Sequence, residues 1–250
     1  FDKDFPSPEP MINKNGNYIS EILNKKAAVV SFLNGSAKKI LDSNDCYEVG
    51  IYTAKLHSIT KNLTGKRENK LSVNSWRKIY NKVKNSCSKI HPNLSGIIEK
   101  NLDNIEKNWP KNIPSGIIHA DLFPDNIFFK NKKLSGIIDY YFSCHDFYAF
   151  EIAICLNALC FEGKNENLSF NVTKAKKFID GYSSIRKLTE KEKKSLKILC
   201  QGAAMRFLLT RVFDYLNLIE GAIVKIKDPV EYLKRLEFHN NVKNYQDYFF

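Results

Sequence analysis

The stretch GIIHADLFPDNIFF, residues 116–129, decides the fold. Its two ends, GII and IFF, predict short buried strands. Between them stand polar and chain-breaking residues, namely His119, Asp121, Pro124, Asp125 and Asn126. Carboxylates that cluster beside a core are costly unless a positive group lies against them. The stretch therefore predicts a binding site for something positively charged.

The residues that follow predict a β-hairpin, NIFFKNKKLSGIID, with its turn at residues 131–133. A hairpin returns on itself, so Asp139 at its end should lie beside Asn126 at its start. Pro124 keeps the preceding loop out of a helix, and such a loop aims Asp121 into the same cleft. Three short oxygen-bearing side chains are thus expected to converge.

Oxygen ligands of this kind suit Mg²⁺, which takes one or two protein ligands and completes its shell with water and phosphates. We expect Asn126 and Asp139 to hold the ion with a nucleotide. Asp121 would orient a substrate hydroxyl and accept its proton. Zinc hydrolysis would need more His or Cys ligands, and no GxSxG elbow is present. Asp121 and Asn126 could instead merely cap a turn, but the whole H-x-D-L-x-P-x-N string disfavours that interpretation.

Composition and charge narrow the class of protein. The chain has 250 residues and a formal net charge of +12. Lysine and asparagine are scattered along its whole length, which favours solvated helix faces over a nucleic-acid surface. No apolar run reaches membrane-spanning length. The six cysteines contain no CxxC pair, which predicts reduced thiols and a cytoplasmic protein.

Periodicity predicts an α+β protein with a small β unit at residues 1–33 and a mainly helical unit at residues 34–250 that carries the hairpin. The first unit should contain a hairpin with a lysine turn and a strand over residues 27–33. Six helical features are predicted: a cap at Asn44 or Asp45, an apolar helix over 147–161, a helix end at 180–181, a Thr189–Glu192 capping box opening a helix through Leu199, a helix over 203–219 and another from Pro229.

HADLFPDN resembles the catalytic loop of the protein-kinase-like fold, H-R-D-L-x-x-x-N, and IIDY stands where D-F-G would stand. Three departures are informative. No glycine follows Tyr140, no A-P-E segment appears, and Phe123 occupies a position where many protein kinases place lysine. These departures indicate the small-molecule branch, the aminoglycoside-phosphotransferase and choline-kinase-like enzymes.

Three later strings resemble the bacterial homoserine kinases of this superfamily: IIDYYFSCHDFYAFEIAICLNALCFEG at 137–163, QGAAMRFLLTRVFDYLN at 201–217 and KDPVEYLKRLEFH at 227–239. The resemblance implies ATP-dependent phosphorylation of the L-homoserine hydroxyl to O-phospho-L-homoserine, a step of threonine biosynthesis. A choline-, ethanolamine- or aminoglycoside-type substrate, or a non-catalytic kinase-like protein, are the alternatives.

The resemblance also implies roles for individual residues. Asp121 matches the catalytic base, and Asn126 and Asp139 match the magnesium ligands. The Ser31 carbonyl and Leu33 amide would bind the adenine edge. The remaining matches are Phe128 beneath the adenine ring, His119 as a structural member of the loop, and Glu151 where relatives usually place an aspartate that braces the loop.

An amino-acid substrate needs a cation for its carboxylate and an acceptor for its ammonium. The segment AAMRFLLTRVFDYL interrupts an apolar run with Arg206, Arg211 and Asp214. Arginine grips a carboxylate through two parallel hydrogen bonds. Arg211 and Asp214 share a helix face, so an ordinary intrahelical ion pair is an equal alternative. Arg206 lies most of a half-turn away from Arg211, so the two should not reach one ligand together.

The start of the sequence is expected to be incomplete. Kinases of this fold place a nucleotide-covering loop and a phosphate-binding lysine ahead of the hinge strand. Here the hinge-like strand begins near residue 27 and the sequence opens FDKDFPSPEP. A fragment of a longer chain, binding Mg-nucleotide weakly, is therefore expected.

Overall fold

The computed structural model describes residues 5–218 and 226–249. Residues 1–4 of the predicted first unit, the predicted helix end at Ile219 and Phe250 lie outside that description. The α-helices are α1 Ser43–Ile59, α2 Val73–Val83, α3 Leu94–Asn108, α4 Tyr148–Leu159, α5 Val172–Ile185, α6 Glu190–Leu216 and α7 Val230–Asn241. The strands are β1 Ser20–Ile22, β2 Lys25–Ala27, β3 Ser36–Ala37, β4 Ser115–Ile118, β5 Ile127–Lys130, β6 Lys133–Ile137, β7 Cys144–Phe147, β8 Phe161–Glu162 and β9 Ser169–Phe170. The predicted α+β class, mostly helical with an embedded hairpin, is confirmed.

The N-terminal hairpin pairs β1 with β2. Leu23 and Asn24 form its turn, with φ of 49° and 60°. Two-residue hairpin turns require this left-handed conformation, which Asn tolerates well. Lys25 and Lys26 lie in β2 itself, so the predicted lysine turn is wrong by two residues.

The predicted strand over residues 27–33 is only partly formed. Strand β2 ends at Ala27, and beyond it an isolated bridge joins Val30 to Pro10. Proline has no N–H group with which to extend a ladder. A regular hinge strand is therefore replaced by an irregular extended segment.

The hairpin β5–β6 gains a third strand, so that the sheet order is β3-β5-β6. Gly35 leads into β3 with φ of 130°, and a Cβ there would lie 2.3 Å from Ser135 Oγ and 2.9 Å from the Phe129 carbonyl oxygen. Only glycine permits that approach. Within the hairpin Ile127 pairs with Ile137, which brings its two ends together as predicted.

Helix α1 is capped by Asp42 rather than by the predicted Asn44 or Asp45. The Asp42 carboxylate accepts hydrogen bonds from the N–H groups of Asn44 and Asp45 at 2.8 and 2.9 Å. The Asp45 carboxylate in turn accepts a hydrogen bond from the Asp42 N–H at 2.9 Å. A capping side chain reaches the N–H groups two and three residues ahead, so it must precede the first turn.

Helix α6 starts with the predicted capping box, in which Thr189 and Glu192 bond reciprocally. The predicted interruption before Ala203 is wrong, because α6 is one continuous helix of 27 residues. Gly202 lies inside it, where a Cβ would come within 2.3 Å of the Trp109 ring. Packing of that ring against the glycine stabilises a helix that propensity alone would weaken.

Helix α5 continues past its predicted end at residues 180–181. A Cβ on Gly181 would lie 2.1 Å from the Tyr47 carbonyl oxygen, and one on Gly50 would lie 2.1 Å from that of Phe178. These glycines let α1 and α5 cross with their backbones almost in contact. Gly181 therefore serves a helix crossing and does not end the helix.

Helix α4 is buried on nearly all sides, as its apolar sequence predicts. Trp76 and Trp109 pack edge to face with centroids 5.2 Å apart, and Phe150 of α4 lies 5.5 Å from Trp109. The cysteines are all buried and free, as expected for reduced thiols. Among the described helices, none has the length and apolar character needed to cross a bilayer.

Candidate active site

His119 anchors the loop that joins β4 to β5, and it is fully buried. Its Nε2 lies 2.9 Å from the carbonyl oxygen of Ile138, and its Nδ1 lies 3.2 Å from the backbone nitrogen of Asp121. A carbonyl oxygen only accepts and a backbone N–H only donates, so Nε2 carries the single ring proton. Burial lowers the pKa of His119 to about 4, which keeps the imidazole neutral at physiological pH.

Glu151 of α4 lies beneath the same loop and is fully buried. Its carboxylate accepts hydrogen bonds from the backbone N–H groups of His119 and Ala120. Ala120 has φ of 66°, a conformation that a non-glycine residue keeps only when its surroundings hold it. Burial raises the pKa of Glu151 to about 7, although the two N–H donors and Arg206 oppose that rise.

A cavity of about 600 Å³ opens beside the loop, between it and α6. Asp121, Asn126 and Asp139 all line it, so the predicted convergence of three oxygen-bearing side chains is present. Burial raises the pKa of Asp121, and the charges of Arg206 and Lys227 act in the opposite direction. A raised pKa makes the Asp121 carboxylate a stronger base than an exposed aspartate.

Asn126 and Asp139 are held by the two ends of the hairpin. The Asn126 Nδ2 donates to the Asp121 carbonyl oxygen at 2.8 Å, which leaves its Oδ1 for another partner. The Ile138 N–H donates to the Asn126 carbonyl oxygen at 3.0 Å. Asp139 has φ of 63°, and its carboxylate accepts one long hydrogen bond of 3.4 Å from the Tyr141 N–H.

This donor set fits a hard divalent cation. An amide oxygen and a carboxylate are two oxygen ligands, and Mg²⁺ often takes only one or two from protein. Within residues 5–218 and 226–249, no three His, Cys, Asp or Glu side chains cluster as a closed metal site. An ion held by Asn126 and Asp139 would therefore keep positions open for water and phosphate oxygens.

Helix α6 forms the opposite wall, and Arg206, Arg211 and Asp214 all line the cavity. Arg206 is 2% exposed, and its Nη1 donates to the carbonyl oxygen of Ala120. The guanidinium lies 4.6 Å from the ring centroid of Phe207. Arg206 thus binds the loop from one side while a carboxylate of α4 binds it from the other.

Arg211 binds partners other than Asp214. Its Nη1 donates to Glu231 Oε2 at 2.7 Å and to the Asp228 carbonyl oxygen at 3.0 Å. The alternative of an Arg211–Asp214 ion pair is therefore wrong. Asp214 has no ion-pair partner in the part of the chain that the structure describes, and burial raises its pKa. The two arginines line the same cavity but hold different protein partners, the Ala120 carbonyl oxygen and the Glu231 carboxylate.

The predicted adenine-binding residues lie outside this cavity. Phe128 pairs with Gly136 across the hairpin, and Leu33 Cδ1 lies 2.7 Å from where a Gly136 Cβ would be. Ser31 exchanges hydrogen bonds with Glu9 through its N–H and its Oγ, at 2.8 and 2.9 Å. The structure thus brings Leu33 and Phe128 together on one face of the hairpin and places Ser31 on the neighbouring N-terminal segment.

Sequence reasoning misses Lys227, which also lines the cavity. Its Nζ lies 3.9 Å from Asp125 Oδ2 and 5.1 Å from the ring centroid of Phe123. Nothing in a lysine-rich chain distinguishes this lysine from the others, and about a hundred residues separate it from the loop. Only folding brings it to the cavity.

The phosphotransferase enzyme family, APH, matches residues 2–186 of this chain. A homoserine kinase of Xanthobacter autotrophicus is 46% identical over 241 residues, which are 96% of this chain and 74% of the relative. A homoserine kinase of Mesorhizobium japonicum is 40% identical, again over 96% of this chain and 74% of the relative.

Solved structures show the same fold at lower identity. An amicoumacin kinase in complex with AMP-PNP, Ca²⁺ and Ami has a TM-score of 0.67 and 14% identity, covering 97% of this chain and 74% of that one. A choline kinase from Cryptosporidium parvum has a TM-score of 0.63 and 16% identity, and the match covers 94% of this chain and 72% of the choline kinase chain. At these identities the likeness supports the fold.

Proposed function

Because this chain belongs to the phosphotransferase enzyme family, in which homoserine kinases are 40–46% identical to it, we propose that it transfers the γ-phosphoryl group of ATP to the hydroxyl of L-homoserine. The observation that carries the proposal is the shared cavity of Asp121, Asn126 and Asp139, faced by the charged side chains of α6. One wall offers oxygen ligands and a base. The other offers charges of both signs, which suit a zwitterion.

In this proposal Asp121 is the catalytic residue. Its carboxylate accepts a hydrogen bond from the substrate hydroxyl and so aims that oxygen at the γ-phosphorus. As the new O–P bond forms and the bond to the ADP oxygen breaks, the hydroxyl proton passes to Asp121. Burial raises the pKa of Asp121, which favours that transfer.

Asn126 Oδ1 and the Asp139 carboxylate would hold Mg²⁺. When bound, this ion neutralises charge on the phosphate oxygens of the nucleotide. The Ser31 carbonyl and Leu33 amide would bind the adenine edge. Phe128, which lies with Leu33 beside Gly136, would contact the adenine ring.

Three groups would keep Asp121 in position. The Glu151 carboxylate accepts hydrogen bonds from the N–H groups of His119 and Ala120, and Nδ1 of the buried His119 ring accepts one from the Asp121 N–H. Arg206 holds the intervening carbonyl. Pre-organised contacts of this kind avoid reorganisation when the reaction occurs.

The α6 wall would receive the amino acid. Arg206 and Arg211 give the wall a positive potential, and Asp214 supplies a carboxylate with no cation of its own among the described residues. We assign the substrate ammonium to Asp214. That assignment leaves the carboxylate of the substrate to a cation on the same side of the cavity.

A substrate panel tests the function. ADP release is followed with Mg-ATP and L-homoserine, choline, ethanolamine or kanamycin, and ³¹P NMR identifies the phosphorylated product. We expect turnover with homoserine that Asp121→Asn abolishes. Faster turnover with choline or an aminoglycoside would refute the homoserine assignment, and calorimetric binding of Mg-ATP without turnover of any substrate would indicate a non-catalytic protein.

A further inference from the structure

Lys227 is the cation at the cavity whose charged group is least committed to the fold. Its side chain is 56% exposed. Among residues 5–218 and 226–249 its ion-pair contact is to Asp125, 3.9 Å long between two exposed groups. Exposed pairs of this kind contribute little to stability. A ligand carboxylate could therefore replace Asp125 at little cost.

The two arginines of the cavity are engaged in the fold itself. Arg206 is buried and donates to the carbonyl oxygen of Ala120. Arg211 donates to the Glu231 carboxylate, which also binds Arg235 of α7. Turning the Arg206 guanidinium toward a substrate would leave the Ala120 carbonyl oxygen without this donor. Turning that of Arg211 would break its bonds to Glu231 and to the Asp228 carbonyl oxygen. Each loss would lower the stability of the fold.

Lys227 also lies on the correct side of the cavity. Its ammonium lies above the ring of Phe123, in the loop between Asp121 and Asn126. Lys227 and Asp121 both line the cavity. Asp214 lines the same cavity from α6. A zwitterion whose hydroxyl reaches Asp121 can thus meet a weakly paired cation, Lys227, and a carboxylate, Asp214, that has no ion pair among the described residues.

We propose that Lys227 binds the carboxylate of the substrate and, together with Asp214 for the ammonium, makes the enzyme selective for an α-amino acid. This inference rests on the proposed function, since it concerns the acceptor of that same reaction. Arg206 and Arg211 then act on the substrate through the loop and α7, and Lys227 is the direct contact. Loss of the Lys227 charge is therefore expected to weaken the binding of ligands that carry the carboxylate and to spare those that lack it.

The test pairs Lys227→Met with two substrate analogues used as competitive inhibitors. 4-Hydroxybutanoate keeps the carboxylate of homoserine and lacks its ammonium, whereas 3-aminopropan-1-ol keeps the ammonium and lacks the carboxylate. We expect Lys227→Met to raise the Ki of 4-hydroxybutanoate and the KM of homoserine by about tenfold or more, with the Ki of 3-aminopropan-1-ol and the KM of ATP unchanged. Lys227→Arg should restore most of the loss.

Matched variants sharpen the result. Lys107→Met removes an exposed lysine of α3 that does not line the cavity, and it should change none of these constants. Asp214→Asn should show the opposite selectivity, weakening 3-aminopropan-1-ol and sparing 4-hydroxybutanoate. Calorimetry of homoserine binding with Mg-AMP-PNP repeats the comparison without turnover.

Three results would overturn the inference. Equal loss for both analogues would place Lys227 at the phosphates, and a raised KM for ATP alone would do the same. Unchanged Ki and KM values in Lys227→Met would show that Lys227 is a surface lysine that does not contact the substrate. Wild-type protein that neither binds nor phosphorylates homoserine would instead refute the proposed function, which separates the two failures.

Discussion

Both carboxylate oxygens of Glu151 lie 3.1 Å from the backbone nitrogen of Ala120. Ala120 is in the left-handed conformation and immediately precedes Asp121. The direction of the candidate base is therefore set by a carboxylate on a different helix, 31 residues further along the chain. The relationship makes a titratable group part of the support for the loop.

Glu151 should make stability depend on pH. Burial raises its pKa from 4.5 to about 7, so its contribution to stability is present below pH 4.5 and is lost as the pH rises to about 7. We expect Glu151→Gln to remove that loss, so that the difference in unfolding free energy between variant and wild type changes by about 3 kcal/mol across this window. Denaturant unfolding of both proteins at half-unit pH steps measures it.

His119 titrates with the opposite sign but is common to both proteins. The pKa of His119 is lowered to about 4, so its contribution is present above pH 6.5 and is lost as the pH falls toward 4. It cancels when the two proteins are compared. Parallel stability profiles for wild type and Glu151→Gln would contradict the assignment.

Asp139→Asn should weaken Mg-dependent binding of AMP-PNP by about a hundredfold without disturbing the fold. Asparagine tolerates the φ of 63° at this position, so the change removes charge and keeps geometry. Calorimetry with and without Mg²⁺ measures the effect. Asp125→Asn, at another exposed carboxylate of the same cavity, should leave nucleotide affinity within about threefold. An equal loss in both variants would indicate a general charge effect.

Arg206→Lys should lower kcat by about tenfold or more and the free energy of unfolding by roughly 2–4 kcal/mol. A lysine loses the planar contact with Phe207 and presents its donors differently to the Ala120 carbonyl oxygen. Steady-state kinetics and chemical denaturation give the two values. Arg77→Lys, at an exposed pair with Glu106, should cost no more than about 1 kcal/mol. Similar losses in both would show that burial of Arg206 is unimportant.

Two glycine-to-alanine changes in helices should shift the free energy of unfolding in opposite directions. Gly181→Ala places a Cβ 2.1 Å from the Tyr47 carbonyl oxygen, so we expect the unfolding free energy to fall by about 2 kcal/mol or more. Gly96→Ala in α3 places a Cβ in open space and should raise it by about 0.5–1 kcal/mol. Thermal unfolding measures both, and a Gly181→Ala protein as stable as wild type would rule out the close crossing of α1 and α5.

Local patterns predicted much of the candidate site. HADLFPDN and the hairpin behind it place Asn126 and Asp139 at adjoining ends because a hairpin of known length has only one way to return. The Thr189 capping box is likewise a contact over three residues. Where local signals failed, at Gly181 and Gly202, each glycine lies inside a helix because another element packs against it.

The sequence by itself determined the features that depend on near neighbours, namely the helix capping box, the proline-bent loop and the return of the hairpin. Tertiary structure alone decided which distant group each charged residue meets: Glu151 binds the Ala120 N–H, Arg211 binds Glu231 rather than Asp214, and Lys227 reaches the cavity. The physical reason is that spacing along a chain specifies the face on which a side chain lies. The partner on that face depends on how whole helices pack.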